Sequence, residues 1–236
     1  MKNNKKFIFF GAWIGTLLVL VGIVNYLSNH NIVSPPAPPP PPPPMDDGKW
    51  RQVMSRAVDE PRGDRNAPYT VVEFGDFCCP QCGAMHKTIE NLPNAAPVDL
   101  YFINRPFPQL KDHKYAVQAA EAGFAAAAQG KFWPMFEQLY GHQKDLEPGF
   151  YEQYADAAGL DGAALRKDVE SGKYLQQVTD SYKFCDAIGF QLTPTIVIRD
   201  NKAGTYKVAA GRDDINKLLA GAPWVKAPAG PAVAKG

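Results

Sequence analysis

The chain has 236 residues, room for one sizeable domain and appendages. Its charge nearly balances, 25 Lys and Arg against 24 Asp and Glu, so it lacks both the basic surplus of a nucleic-acid binder and the acidic surplus of a disordered chain. The 22 prolines are concentrated: nine fall between Pro35 and Pro44, and outside that run the composition is ordinary for a globular protein.

Lys2, Lys5 and Lys6 precede an apolar stretch, FIFFGAWIGTLLVLVGIVNYL, with no charged side chain from Phe7 to Leu27. A helix needs about 20 such residues to cross the hydrocarbon core. The lysines lie before the stretch and no Lys or Arg follows until Lys49. Residues 1–6 are therefore expected in the cytoplasm, 7–27 as a transmembrane signal anchor, and the rest outside, in the periplasm or on the outer face of the cytoplasmic membrane. The alternative is a cleaved signal peptide, but its apolar core is usually shorter and ends at a small-residue site, which SNHNIVS does not supply. No cysteine lies near the segment to carry a lipid. Residues 28–45 read as a proline-rich stalk. Polyproline II rises ~3.1 Å per residue, so the run spans about 30 Å. Outside the cytoplasm a spacer is favoured over a ligand for an SH3-like or WW-like groove.

The folded domain is expected over 46–221. KWRQVMSRAV reads as a short first helix and PRGDRNAP as a turn-rich approach. YTVVEF (69–74), β-branched and apolar, reads as a buried strand, and VDLYFI (98–103) as a second. From Lys114 the pattern turns helical: YAVQAAEAGFAAAA is rich in strong helix formers and stops at Gly130. KFWPMFEQLYGHQ, FYEQYADAAG, DGAALRKDVESG and KYLQQVTDSYKFCDAIG read as further helices parted by Gly, Pro and Asp, with Phe132, Trp133, Phe136 and Tyr140 as their aromatic core. TIVIRD and TYKVAA are two more strands and DDINKLLAG a last helix. Residues 222–236 form a small-residue tail expected to be disordered. The order βαβ, helices over about 112–189, then ββα predicts an α/β fold whose sheet is interrupted by a helical insertion.

Three of the four cysteines fall in DFCCPQC: Cys78, Cys79 and Cys82. The segment from Pro80, PQCGAMHKTIENL, can be helical, and proline suits a first helical turn. Cys79 then sits at the helix N-terminus, where free N–H groups and the dipole favour a thiolate. Cys82 lies almost one turn above it. A thiolate with a neighbouring thiol is the equipment of dithiol–disulfide exchange. Adjacent Cys78 and Cys79 are a poor pair, because consecutive Cα atoms stand only ~3.8 Å apart. A Cys78–Cys82 pair would leave out the helix-start cysteine, so Cys79–Cys82 is favoured. A zinc site is the commonest other meaning of C-x-x-C, with His86 four residues on, but no second C-x-x-C or H-x-x-x-H completes it, and no metal is expected.

NAPYTVVEFGDFCCPQCGAMH resembles the start of the DsbA-like branch of the thioredoxin superfamily, exported thiol–disulfide oxidoreductases that include membrane-anchored forms. The resemblance runs on through FINRPFP, AAEAGFAAAAQGKFWPMFEQLY and AIGFQLTPTIVI, and covers nearly all of residues 60–220. It implies a thioredoxin fold with an inserted helical domain. It implies that Cys79 is the exposed nucleophile, Cys82 the buried resolving cysteine, and Pro80 and Gln81 the dipeptide that tunes the redox potential. Thr193 and Pro194 match the loop whose proline is cis and faces the disulfide, and Glu73 matches an acid beneath the site that assists proton movement at Cys82. Two positions depart from the pattern. Gln81 replaces a frequent histidine and cannot carry its positive charge. Cys78 is an extra thiol: a bystander, a partner for Cys185, which stands on the helix before the Thr193–Pro194 loop, or a thiol that interferes by reshuffling. His86, His113 and His142 read as surface or packing residues.

The resemblance implies an enzyme that forms disulfides in exported, cysteine-containing proteins, needs no cofactor beyond its own disulfide, and is reoxidised by an integral-membrane partner. A reductase or isomerase could use the same pair. No dimerisation module is visible, which favours a monomer. A different class, copper handling, would use Cys78 and Cys82 as a C-x-x-x-C pair of soft thiolates. Pro80 and the helical insertion do not suit that motif.

Overall fold

The computed structural model describes residues 40–55, 61–92 and 99–222. The lysine-rich end, the transmembrane anchor and most of the stalk, and the tail from 223, lie outside the described residues. Among the described residues no helix is long and apolar enough to cross a membrane.

Four strands form one mixed sheet in the order β2-β1-β3-β4. They are β1 (Tyr69–Gly75), β2 (Leu100–Pro106), β3 (Thr195–Asp200) and β4 (Thr205–Ala210). β1 runs parallel to β2 and antiparallel to β3, which is antiparallel to β4. The helices are α1 (Asp47–Ser55), α2 (Pro80–Glu90), α3 (Ala116–Ala128), α4 (Phe132–Gly141), α5 (Tyr151–Ala157), α6 (Gly162–Glu170), α7 (Leu175–Ala187) and α8 (Arg212–Ala220). The chain therefore builds β1-α2-β2, then five helices, then β3-β4-α8.

β1 is central and buried from Thr70 to Gly75, because both faces are covered; such strands read as continuous apolar runs. Its side chains alternate between two cores. Val71, Phe102, Ile196 and Ile198 face the larger core, with α2, the α3–α6 block and Ile215 of α8. Val72, Phe74, Ile103 and Val197 face the smaller one, with Trp50 and Val53 of α1 and Phe184 and Cys185 of α7. Within the helical block, rings meet edge to face, Trp133 on Phe136 at 5.1 Å and Phe136 on Tyr140 at 4.7 Å. Such pairs add ~0.5–1.5 kcal/mol beyond their burial.

Four boundaries differ from the sequence reading. α1 starts at Asp47, two residues early, because the Asp46 carboxylate accepts from Lys49 N at 2.8 Å and caps the first turn. β2 runs on to Pro106 through three residues that look unsuited to a buried strand. Asn104 pairs in register with Glu73, Arg105 donates to Val53 O at 2.8 Å, and Pro106 ends an outer strand, where a missing N–H is tolerated. The stalk was expected to end at 45, but Met45 is buried in the smaller core. The tail was expected from 222, but Ala222 packs in the larger one.

Candidate active site

Phe77, Cys78 and Cys79 link β1 to α2. Asp76 Oδ1 accepts from Cys78 N at 2.8 Å, and Cys79 N donates to Asp76 O at 3.0 Å. Cys79 caps α2 in an extended conformation with Pro80 in the first turn. From the turn after α4, Gln143 Nε2 donates to both Phe77 O (2.7 Å) and Cys79 O (2.9 Å). A Cβ on Gly83 would stand 1.8 Å from Gln143 Oε1, so the residue after Cys82 must be glycine for this clamp to close.

All four cysteines are free thiols in this structure. Cys79 keeps 6% of its surface and Cys82 none, so Cys79 is less exposed than the resemblance implied: its sulfur lies beneath Thr193, whose carbonyl oxygen is 3.4 Å away. The Cys82 thiol donates to the Cys79 sulfur and is the main reason that Cys79 is lowered to about 6; the Thr193 hydroxyl and the Gln81 and Cys82 amides act the same way, against desolvation. Burial drives Cys82 the other way, well above the ordinary thiol range, helped by its role as donor to Cys79. One dithiol thus holds a thiolate and a proton side by side. Cys78 is the more exposed member of the adjacent pair, yet burial and the Asp76 carboxylate push it up to about 12. It stays protonated at neutral pH.

The antiparallel register sets Phe74 beside Thr195, which brings the Thr193–Pro194 loop to the end of β1 and over Cys79. The Thr193–Pro194 bond is cis. Pro194 O accepts from Gly211 N at 2.8 Å. Gln81 Oε1 accepts from Arg212 N at 3.4 Å and ties the dipeptide to the start of α8.

Glu73 is fully buried below the dithiol. Desolvation raises its carboxyl to about 7, opposed by Asn104 Nδ2, which donates to Oε2 at 2.8 Å. Cys185 is not brought to the site. It is buried in the smaller core, across the sheet from the core that holds Cys79 and Cys82 and against which Cys78 packs. Proximity of α7 to the loop in sequence suggested otherwise, but Cys185 lies on the helix side that faces Val72 and Val197. Among the described residues no group of three or more His, Cys, Asp and Glu side chains could hold a metal ion.

Several site residues were missed in the sequence. Asn104 had one signal, an amide inside an apolar strand. Asp76 gathers Cys78 N, Gln109 N (2.7 Å) and His113 Nδ1 (2.7 Å), so His113 braces the loop rather than sitting idle on the surface. His86 stacks on Tyr140 at 5.2 Å and His142 on Tyr154 at 4.4 Å. Gln143 carried no sequence signal at all.

A strand, a dithiol at a helix start and a cis-proline loop above it define a thioredoxin-fold protein with a reactive thiol pair. A family model described as Thioredoxin matches residues 57–216, and the chain belongs to that family. Among solved structures it is similar to BdbD from Bacillus subtilis (25% identity, TM-score 0.57, 68% of this chain and 90% of that one). It also shares its fold with the thiol-disulfide exchange protein α-DsbA2 from Wolbachia pipientis (19%, TM-score 0.61, 73% and 89%). Its fold is DsbA-like, a thioredoxin fold that shares its inserted helices with these proteins. A Na(+)/H(+) antiporter NhaA 1 from Mycolicibacterium gilvum is 39% identical over 146 residues, 61% of this chain but 24% of that protein. The chain spans about a quarter of the length of the curated relatives it matches.

Proposed function

We propose that the protein is an extracytoplasmic protein thiol:disulfide oxidoreductase that forms disulfides in exported, cysteine-containing proteins. The observation that carries this is the split dithiol: Cys79 lowered to about 6 beside a Cys82 held protonated. A thiolate stabilised in the dithiol state makes the disulfide state the more oxidising one. The fold shared with a thiol-disulfide exchange protein supports the reaction class. The apolar segment 7–27 supports a membrane anchor with the domain outside the cytoplasm.

In the forward reaction a substrate thiolate attacks Cys79 of the Cys79–Cys82 disulfide. The substrate–Cys79 bond forms, the Cys79–Cys82 bond breaks, and Cys82 leaves with the electron pair and takes a proton from Glu73. A second substrate thiolate then attacks the mixed disulfide at the substrate sulfur and Cys79 departs as a thiolate. Thr193 and Pro194 present the loop against which an extended substrate lies, with no N–H on the proline to compete. Pro80 and Gln81 set the geometry between the sulfurs. Reoxidation falls to an integral-membrane partner; the enzyme works as a monomer and needs no other cofactor.

Oxidative refolding of a reduced, multi-cysteine substrate tests this, with the reduction potential measured alongside. Catalysed refolding that vanishes in Cys79→Ala, with a potential nearer about −120 than about −270 mV, is expected. Full activity in Cys79→Ala overturns the function, and a potential at the lower end reverses the direction.

A further inference from the structure

The carboxyl of Glu73 is only half satisfied. Oε2 accepts from Asn104, while Oε1 is buried with no hydrogen-bond partner. A buried carboxylate oxygen without a donor calls for an explanation. Beside it lies the hydroxyl of Tyr140, brought over β1 by α4. A Cβ built on Gly75 would stand 3.2 Å from Glu73 Oε1 and 3.1 Å from Tyr140 Oη. The two oxygens therefore flank the bare Cα of Gly75 on the same side, near enough for one water to bridge them, without bonding each other. Gly75 does not have a positive φ, so its backbone does not demand glycine; the close approach of these two oxygens does. The phenol cannot swing away. Its ring is held by Phe136 at 4.7 Å, by Phe77 at 5.0 Å and by the stacked imidazole of His86 at 5.2 Å. A buried tyrosine hydroxyl ordinarily finds a polar partner.

We propose that Tyr140 is a positioning residue for the proton step: through one water molecule seated over Gly75 its hydroxyl donates to Glu73 Oε1 and holds the carboxyl toward Cys82. This rests on the thiol–disulfide exchange reading above. The step it serves is written most simply for the dithiol resolving a mixed disulfide. Cys82 gives its proton to Glu73 and its sulfur attacks that of Cys79. The Cys79–Cys82 bond forms, and the bond from Cys79 to the outgoing sulfur breaks. The outgoing group leaves as a thiolate, so the dithiol is oxidised and the attacking disulfide is reduced. The donor helps by stabilising the carboxylate that accepts the proton. The other ionisable groups at this point are Cys79 and Cys82 on α2 and its leading turn, Asp76 after β1, and His86 on α2, stacked on the phenol. Neither Tyr140→Phe nor Gly75→Ala alters any of them, and β2 contributes only the uncharged Asn104.

The test follows thiolate release when the reduced full chain meets a chromogenic aromatic disulfide, by stopped flow across pH. The second release reports attack by Cys82. In wild type its rate should rise through an inflection near the Glu73 value of about 7, and Glu73→Gln should remove that inflection. Tyr140→Phe deletes the hydroxyl and keeps the ring. Gly75→Ala wedges a methyl against both oxygens, which crowds the bridge out, and keeps the oxygens themselves. Both should move the inflection upward by about one pH unit, the worth of one hydrogen bond to a carboxylate. A titration of the Glu73 carboxyl by carbon NMR in each variant reads the same shift without relying on turnover, and circular dichroism confirms that each is folded. An unmoved inflection in folded Tyr140→Phe, or a shift in Gly75→Ala alone, overturns the proposal. Absence of any catalysed exchange in wild type defeats the functional reading instead.

Discussion

Consecutive residues of β1 face two different interiors. Glu73 points into the core that holds Cys79 and Cys82, and Phe74 into the core that holds Cys185. Both are completely buried. Phe74 is wholly satisfied there, edge-on to Phe190 at 4.9 Å. Glu73 has one bonded oxygen and one without a partner, and its carboxyl is pushed up to about 7. One face of the strand is fully packed with apolar groups, and the other carries a buried carboxyl that, in the proposed mechanism, keeps a proton within reach of a thiol. Buried polarity with an incomplete set of partners, rather than burial itself, marks the working side.

Exchanging cysteines across the sheet should break that contrast most sharply. Cys82→Ala is expected to abolish turnover in oxidative refolding and, in buffer containing oxidised glutathione, to hold a glutathione mixed disulfide on Cys79 with release of glutathione, seen by intact mass. Cys185→Ala should keep full turnover and lose about 1 kcal/mol in urea unfolding. Equal activity losses in the two variants would show that the cores are not functionally distinct.

The neighbouring strand positions give the next effect. Phe74→Ala should cost ~3–5 kcal/mol by urea unfolding, with the pH profile of the remaining folded protein unchanged. Glu73→Gln should do the reverse. The folded carboxyl is raised from 4.5 to about 7, so its contribution to stability is complete below 4.5 and is lost as pH rises through 7. The glutamine variant escapes that loss. Its advantage over wild type should grow between these values and level off at about 3 kcal/mol. Unfolding midpoints at pH 4 and pH 8 measure it, and parallel stability curves would show that Glu73 is not held neutral by burial.

The smallest effect is expected beside the nucleophile. Cys78→Ser should leave the reduction potential within about 15 mV of wild type, at most about a threefold change in the equilibrium constant. Alkylation of the oxidised protein followed by intact mass should find Cys78 and Cys185 both as thiols. A lost thiol pair would mean that the sheet does not keep them apart.

Much of the architecture was legible in the chain. YTVVEF and TIVIRD announced themselves by branched apolar runs, the alanine-rich segment by propensity, and the C-P-Q-C turn by a proline at a helix start. These signals are local: each depends on residues within a turn or two of one another. β2 was misplaced because its last residues, Asn104, Arg105 and Pro106, are suited to a strand only by Glu73, Val53 and an outer position, none of which is near them in the chain.

The same division holds for the site. The sequence by itself determined the dithiol, its place at a helix start and, through the resemblance, the loop and the acid that accompany it. The helix start already favoured Cys79 as the thiolate; only the tertiary structure showed that Cys82, with Thr193, converges on its sulfur and lowers it most. It also decided that Cys185 belongs elsewhere, that Gln143 closes over Gly83, and that the Tyr140 hydroxyl and the Glu73 carboxyl both stand close over Gly75. Ionisation and hydrogen bonding respond to distances of a few ångströms between groups tens of residues apart, and no local pattern in a sequence encodes those distances.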